Sequence, residues 1–321
     1  MQTRLTEILD IEHPVMLAGM AGVSYHHLVS TVSEAGGLGC LGASMMRLHQ
    51  MEEEIAKVRA ATDKPFGVDL LTASPGDLTR SVNAVIDGGA TVFVAGLGVP
   101  REVIELCHKR NTIVVNMCGK VRHAIDAVEA GCDVVVAQGT EAGGHTGQIA
   151  TLALVPQIVD AVGDRVPVVA AGGIVDGRGL AAALSLGADG IWVGTRFIAT
   201  PEAQAVPGYK DALIGLHEDG TVITRAYTGK TCRVVRNAYT QEFDESGAKP
   251  EPFPGQVLKS MNEGANHLGG DDSTEGIDPD REFFPAGQGA GAIHDLVPAA
   301  DLVARIVADA EATIGRMAAL R

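Results

Sequence analysis

Along the first 200 residues, short uninterrupted apolar runs alternate with longer stretches whose apolar positions recur every three or four residues. The runs are HPVMLAGM (13–20), GLGCLGA (37–43), PFGVDLL (65–71), TVFVAGL (91–97), TIVVNMC (112–118), DVVVAQG (133–139), PVVAAGG (167–173) and GIWVGTRF (190–197). Val134, Val135, Val136 and Ala137 show no polar alternation, so they predict a strand covered on both faces, the habit of parallel sheets. Between the runs, HLVSTVSEAGG (27–37), MEEEIAKVRAA (51–61), REVIELCHKR (101–110) and VRHAIDAVEAG (121–131) have helical periodicity, some closing on glycine. A strand-to-strand spacing of roughly 20 to 35 residues is that of a βα unit. Eight such units predict an α/β fold, a TIM (β/α)8 barrel, with an open sheet as the alternative.

The rhythm stops after Thr200. Residues 201–290 gather prolines, acidic charge and turn-rich stretches such as GGDDSTEGIDPD and FFPAGQGAGA, and residues 296–318 recover a helical pattern. This predicts a barrel over 1–200, completed by a C-terminal helix in 291–321, with 201–290 inserted as a cap and substrate region.

Composition narrows the picture. Apolar residues make up 46%, aromatics only 4%, and there are 40 glycines, which implies an aliphatic core and tight turns. A net charge of −15 opposes general binding to nucleic acid or to anionic membranes. The five cysteines, Cys40, Cys107, Cys118, Cys132 and Cys232, form no C-x-x-C pair, and the start MQTRLTEILD has no export pattern. The expectation is a cytoplasmic protein with reduced thiols and no metal site.

Candidate chemistry lies at the carboxyl ends of the predicted strands. The sixth run leads into AQGTEAGGHTG (137–147), which sets His145 among glycines. AAGGIVDGRG (170–179) places Gly172 and Gly173 after the seventh strand, and WVGTRFIAT (192–200) places Gly194 and Thr195 in the eighth. In TIM barrels those two loops supply backbone N–H groups to a phosphate, and glycine allows the close approach.

Taken in order, AGMAGVS (18–24), SEAGGLGCLGA (33–43), PFGVDL (65–70), AQGTEAGGHTG, AAGGIVDGRG and VGTRFIAT resemble the nitronate monooxygenase family, also called 2-nitropropane dioxygenase-like flavoproteins. The resemblance implies non-covalent FMN under a cap. It places Gly19, Met20 and Ala21 along the isoalloxazine, and Gln138, Gly143 and Gly144 near the flavin and its ribityl chain. Ala171, Gly172, Gly173, Gly194 and Thr195 would cradle the phosphate, and His145 would face the substrate. Two positions depart from the pattern. Asp69 stands where many relatives have asparagine, and Met117 where some supply a cation. An ionised Asp69 would oppose reduced flavin unless protonated or paired, for instance with Lys120.

A histidine there suits proton exchange near neutral pH, so His145 is the candidate general base. Other side chains carry weaker expectations. His26 and His27 open a solvated helix, His123 packs on the outer face, and His267 and His294 have no readable orientation. Glu141 either tunes His145 or faces water, and Arg178 serves a helix start. The cluster KTCRVVRN (230–237) is a solvated surface or a contact for an anionic substrate tail, and Gln288 lies where the chain returns to the barrel mouth.

Three function classes follow. The first is oxidation of alkyl nitronates with dioxygen through FMN. The second is an NAD(P)H-dependent flavin reductase acting on an enoyl thioester, of coenzyme A or acyl carrier protein, or on a quinone. The third is a non-redox barrel using the phosphate site for a sugar phosphate, with Lys120 as a Schiff-base lysine. The first is the principal reading. It implies a small-molecule substrate, no nucleic-acid or membrane partner, and leaves room for a homodimer.

Overall fold

A computed structural model describes residues 1–72, 78–96 and 98–320. Its strands are β1 (Val15–Leu17), β2 (Gly39–Gly42), β3 (Phe66–Leu71), β4 (Val92–Gly96), β5 (Ile113–Cys118), β6 (Val134–Gln138), β7 (Gly144–His145), β8 (Val168–Ala171), β9 (Gly190–Val193), β10 (Thr221–Thr224) and β11 (Cys232–Val235). Eight of them form one parallel sheet in the order β1-β9-β8-β6-β5-β4-β3-β2. Met16 bridges Leu38 in parallel, and Leu17 N–H donates to Leu38 O at 2.9 Å, so the sheet closes on itself as an α/β TIM-like barrel.

Alternation along the strands sorts two cores. On β3, Phe66, Val68 and Leu70 join the layer between strands and outer helices. Met16, Cys40, Val94, Val115, Val136, Val169 and Trp192 fill the interior. The helix Arg4–Leu9 sends Leu5 and Leu9 into that inner cluster, and a Cβ on Gly190 would fall 2.4 Å from Leu5. The barrel is therefore stoppered at the amino ends of its strands, and open chemistry is confined to the carboxyl ends.

Each of the eight predicted runs contains a barrel strand, but the last is shorter than read. GIWVGTRF leaves the sheet at Val193, and Thr195–Ile198 is a helical turn, so Thr195 does not belong to the strand. Leu97, at the end of the fourth run, and the terminal Arg321 lie outside the described residues.

Residues 201–290 are more regular than their composition suggests. They contain the helices Tyr209–Ile214, Ala238–Ser246 and Gly255–Asn262 and the β10–β11 hairpin. Ala226, Tyr227, Cys232, Val234, Tyr239, Ala265 and Phe283 form a separate small core there. β11 also pairs antiparallel with β7, matching Cys232 to His145 and Arg233 to Gly144.

The C-terminal helix Ala299–Ala318 packs on Gly177–Ser185. A Cβ at Gly177 would meet Ala310 N and Ile306 O at 2.4 Å, so glycine is what lets the two helices approach. The buried Arg196 reaches Asp295 just before that helix, with Nη2 donating to Oδ1 at 2.6 Å and Nη1 to the main-chain O at 3.0 Å. Among the described residues no helix is long and apolar enough to cross a membrane.

Candidate active site

At the carboxyl ends of the strands lies a cavity of about 380 Å³, within the range of small-molecule sites. All the residues singled out for flavin and substrate line it. Gly19, Met20 and Ala21 come from the loop after β1, Asp69 from β3 and Gln138 from the last position of β6. Gly143, Gly144 and His145 form the returning loop and β7. Ala171, Gly172 and Gly173 follow from β8, and Gly194 and Thr195 from β9.

The glycines are required by geometry on one side of this cavity. Gly172 and Gly173 have φ of +107° and +71°, and a Cβ on Gly172 would fall 2.7 Å from Thr151 Oγ1. The turn after Ala286 closes over them. Gly287 N–H donates to Thr195 Oγ1 at 2.9 Å, and a Cβ on Gly289 would stand 3.0 Å from Gly173 O. Gly287 and Gly289 were not anticipated, although PAGQGAGA contains them. Gln288 itself is exposed and contributes its backbone N–H, which donates to Glu141 O at 2.8 Å.

His145 does not sit in a free glycine loop. Its backbone is paired to Cys232, and Gln138 Nε2 donates to its carbonyl at 3.0 Å. Its Nε2 lies 3.0 Å from Oγ1 of the buried Thr228, whose hydroxyl is placed to donate to Lys230 O at 3.2 Å. If that proton is committed to Lys230 O, Nε2–H is the donor to Thr228 and Nδ1 keeps the free lone pair. The ring has exposed surface, but it lines the cavity, and the dense protein around it still penalises charge. Burial first, then the Lys230 ammonium, lowers its pKa to about 4. The expectation of a group poised near neutrality is therefore replaced by an imidazole that is neutral throughout the physiological range.

Lys230 lies 4.2 Å from the centre of the Phe253 ring, which meets the His145 ring edge-on at 6.4 Å. The rest of its predicted cluster disperses. Arg233 is buried and donates to Thr140 O at 3.0 Å and Thr221 Oγ1 at 3.1 Å, while Arg236 is exposed. Above the barrel, Phe253, Val257, Met261, Leu268 and Phe283 give the cavity an apolar wall.

The chain belongs to the nitronate monooxygenase family. The model of that family matches residues 2–80 and 74–309. A probable nitronate monooxygenase of Staphylococcus aureus is 34% identical over 84% of this chain and 88% of its own length. A (3aS,4S,5R,7aS)-5-hydroxy-7a-methyl-1-oxo-octahydro-1H-indene-4-carboxyl-CoA dehydrogenase of Mycobacterium tuberculosis is 40% identical over 79% of this chain and 71% of its own. In structure, FabK from Thermotoga maritima covers both chains completely with a TM-score of 0.89 and 34% identity. The nitroalkane oxidase of Streptomyces ansochromogenes gives a TM-score of 0.83 at 29% identity, over 97% of this chain and 100% of its own.

Members of the nitronate monooxygenase family are flavin oxidoreductases that use FMN. The cavity fits that cofactor: its lining runs from the glycine turns at β8 and β9 to Met20 and Trp192, and a Cβ at Gly172 or Gly289 would meet neighbouring atoms at 3.0 Å or less. Family membership also changes how Met117 and Asp69 read. Met117 lines the cavity without charge. The Asp69 carboxyl shows no ion pair among the described residues, and burial pushes its pKa up to about 7. Lys120 is exposed at the start of Val121–Ala130, outside the cavity, so it neither pairs with Asp69 nor serves as a Schiff-base lysine.

The other sequence candidates are structural. Glu141 caps Thr151–Val162, accepting from Thr151 N–H and Oγ1 at 2.8 Å, and so neither tunes His145 nor simply faces water. His26 binds Glu54 at 2.8 Å, and His267 binds the buried Glu282 at 2.6 Å. Arg178 pairs with Asp176 at its helix start, and His123 and His294 are exposed.

Proposed function

We propose that this family member oxidises alkyl nitronates with dioxygen, FMN being bound through its phosphate at Gly172, Gly173, Gly194 and Thr195. The observation that carries the reading is a neutral His145 lining the cavity beside Phe253, with the Lys230 ammonium behind that ring. The chemistry that FMN supplies when bound is acceptance of two electrons and their transfer to dioxygen. This chain's residues then do three things. Lys230 attracts an anionic substrate. His145 offers an uncharged ring that takes a proton when the substrate enters as the neutral nitroalkane. The cap wall of Phe253, Val257 and Met261 keeps water from the reacting carbon.

The low basicity of His145 favours substrates that arrive already deprotonated. Proton removal from a neutral carbon acid is harder for a base held below its ordinary pKa, by about 1.4 kcal/mol per unit. An anion beside the ring offsets Lys230 and raises that basicity. The five unpaired, buried thiols support a reducing compartment such as the cytoplasm.

A second reading is favoured by the apolar wall, which is broader than a short nitronate needs, and by the likeness to a carboxyl-CoA dehydrogenase and to FabK. In it, hydride passes between the flavin and a bulky acyl thioester, with NAD(P)H as the other redox partner. Anaerobic mixing separates the two. Propionate 3-nitronate should bleach the flavin absorbance rapidly, and air should restore it. Bleaching by NADH or NADPH, or by a saturated acyl-CoA, with none by the nitronate, would establish the second reading instead.

A further inference from the structure

We propose that Asp69 is a proton-holding acid aimed at the flavin, coupling uptake of a second proton to reduction of the cofactor. The inference rests on FMN filling the cavity, as the family implies.

Alternation in β3 turns Phe66, Val68 and Leu70 toward the outer helices, which sends Asp69 into the barrel at its carboxyl end. There it is pressed against the first loop: a Cβ on Gly19 would lie 2.2 Å from Asp69 Cβ and 2.9 Å from Oδ2. Gly19 and Met20 share the cavity wall with the carboxyl, so a ring lying along that loop meets the acid directly. The side chain is half-buried, and its remaining surface faces the cavity rather than solvent.

Among the described residues the surroundings supply no cation. The loop after β1 presents Gly19 and Met20, β4 presents Val94 opposite Asp69, β5 presents Met117 and β6 presents Gln138. β2 contributes the Cys40 thiol, buried and held well above its ordinary pKa by desolvation and then by the Asp69 charge. Desolvation alone lifts the carboxyl to about 7, so near neutral pH it carries a proton that it can donate in a hydrogen bond. An asparagine has a similar shape and can donate, but it cannot release a proton. That difference is what sets Asp69 apart.

Two-electron reduction places negative charge on the ring and raises the affinity of the adjacent carboxyl for a proton. Below the titration of Asp69 in the oxidised holoenzyme, the acid is protonated in both redox states and adds nothing to the proton count. Above it, the two electrons delivered by the substrate are accompanied by one extra proton, taken from solvent onto Asp69. Each pH unit then changes the equilibrium constant for reduction by an additional factor of ten, which for a two-electron couple is about 30 mV.

The test uses the FMN holoenzyme and Asp69→Asn, with flavin content measured first and the midpoint potential determined by dye-equilibrated titration between pH 5.5 and pH 9. The two profiles should run parallel at low pH, and the wild type should fall more steeply above about pH 7 by that tenfold factor per unit. In parallel, the absorption spectrum of oxidised wild-type holoenzyme should titrate over the same range, which decides the matter even if the variant loses flavin. Parallel profiles at every pH, or a wild-type spectrum that does not titrate, overturn the assignment of Asp69. Wild-type protein that holds no flavin overturns the cofactor reading as well, which is a distinguishable result.

Discussion

His145 Nε2 stands 3.0 Å from Thr228 Oγ1, a contact between residues 83 positions apart that fixes how the ring is presented to the cavity. Thr228→Val keeps the shape but leaves the ring N–H unpaired. Removing one partner of a part-buried hydrogen bond costs about 1 kcal/mol, so kcat/KM should fall by roughly fivefold to tenfold at unchanged flavin content. Thr228→Ser should retain most activity. Wild-type rates in the valine variant would mean that the β7 backbone alone holds the ring.

Replacing His145 itself separates its roles. His145→Asn should keep FMN, because the phosphate side is built from other loops. Turnover of neutral nitroalkanes should drop by about 10²- to 10⁴-fold, the usual worth of a positioned base. A preformed nitronate should suffer less, since it has already lost the proton. Equal losses on both substrates would show that the ring binds or positions without deprotonating.

The pH dependence follows from the direction of the His145 shift. A base acts only when deprotonated, and burial plus Lys230 lower its pKa to about 4. The His145 limb of kcat/KM for a neutral nitroalkane should therefore appear only near pH 4 in wild type, with no break from this group near 6.5. Lys230→Met removes the repelling cation, so the limb should move upward while nitronate KM rises. A wild-type limb near 6.5 that the substitution leaves in place would contradict this.

Gly173 has φ of +71°, a conformation that side-chain-bearing residues rarely adopt. Gly173→Leu should yield folded protein with little flavin, because the barrel core does not depend on that turn. Full flavin occupancy measured after denaturation would move the phosphate site elsewhere.

Asp295 holds two arginines at once, the buried Arg196 and, at 2.7 Å, the half-exposed Arg305. Asp295→Ala leaves Arg196 without its carboxylate. Because Asp295 is half exposed, the loss should be about 2 kcal/mol, at the lower end for charged hydrogen bonds, and it should appear as a lower Tm with the flavin spectrum unchanged.

The barrel was legible because strands buried on both faces write continuous apolar runs, and its site because glycines cluster where backbone must come close. Val134 to Ala137 and the turn at Gly172 show both effects. The region after Thr200 was not legible. β10 and β11 have four residues each and β7 only two, too few for a period to register. Thr228 and Phe253 reach His145 through pairings distant in sequence, so nothing local marked them. Arg233 read as surface charge because most arginines are, yet two oxygen acceptors inside the fold account for it. The direction of the His145 shift likewise depended on burial, and then on a lysine, that only folding supplies.

The pairing of Gly144 and His145 with β11 ties the proposed base to the β10–β11 hairpin. A hairpin that withdrew to admit a substrate would carry Thr228, Lys230 and the imidazole with it, because β7 is an edge strand of the β10–β11 sheet rather than of the barrel. With His145 as the proposed base, such a movement would take the proton acceptor apart, and a flavin uncovered to water would meet solvent without a base beside it.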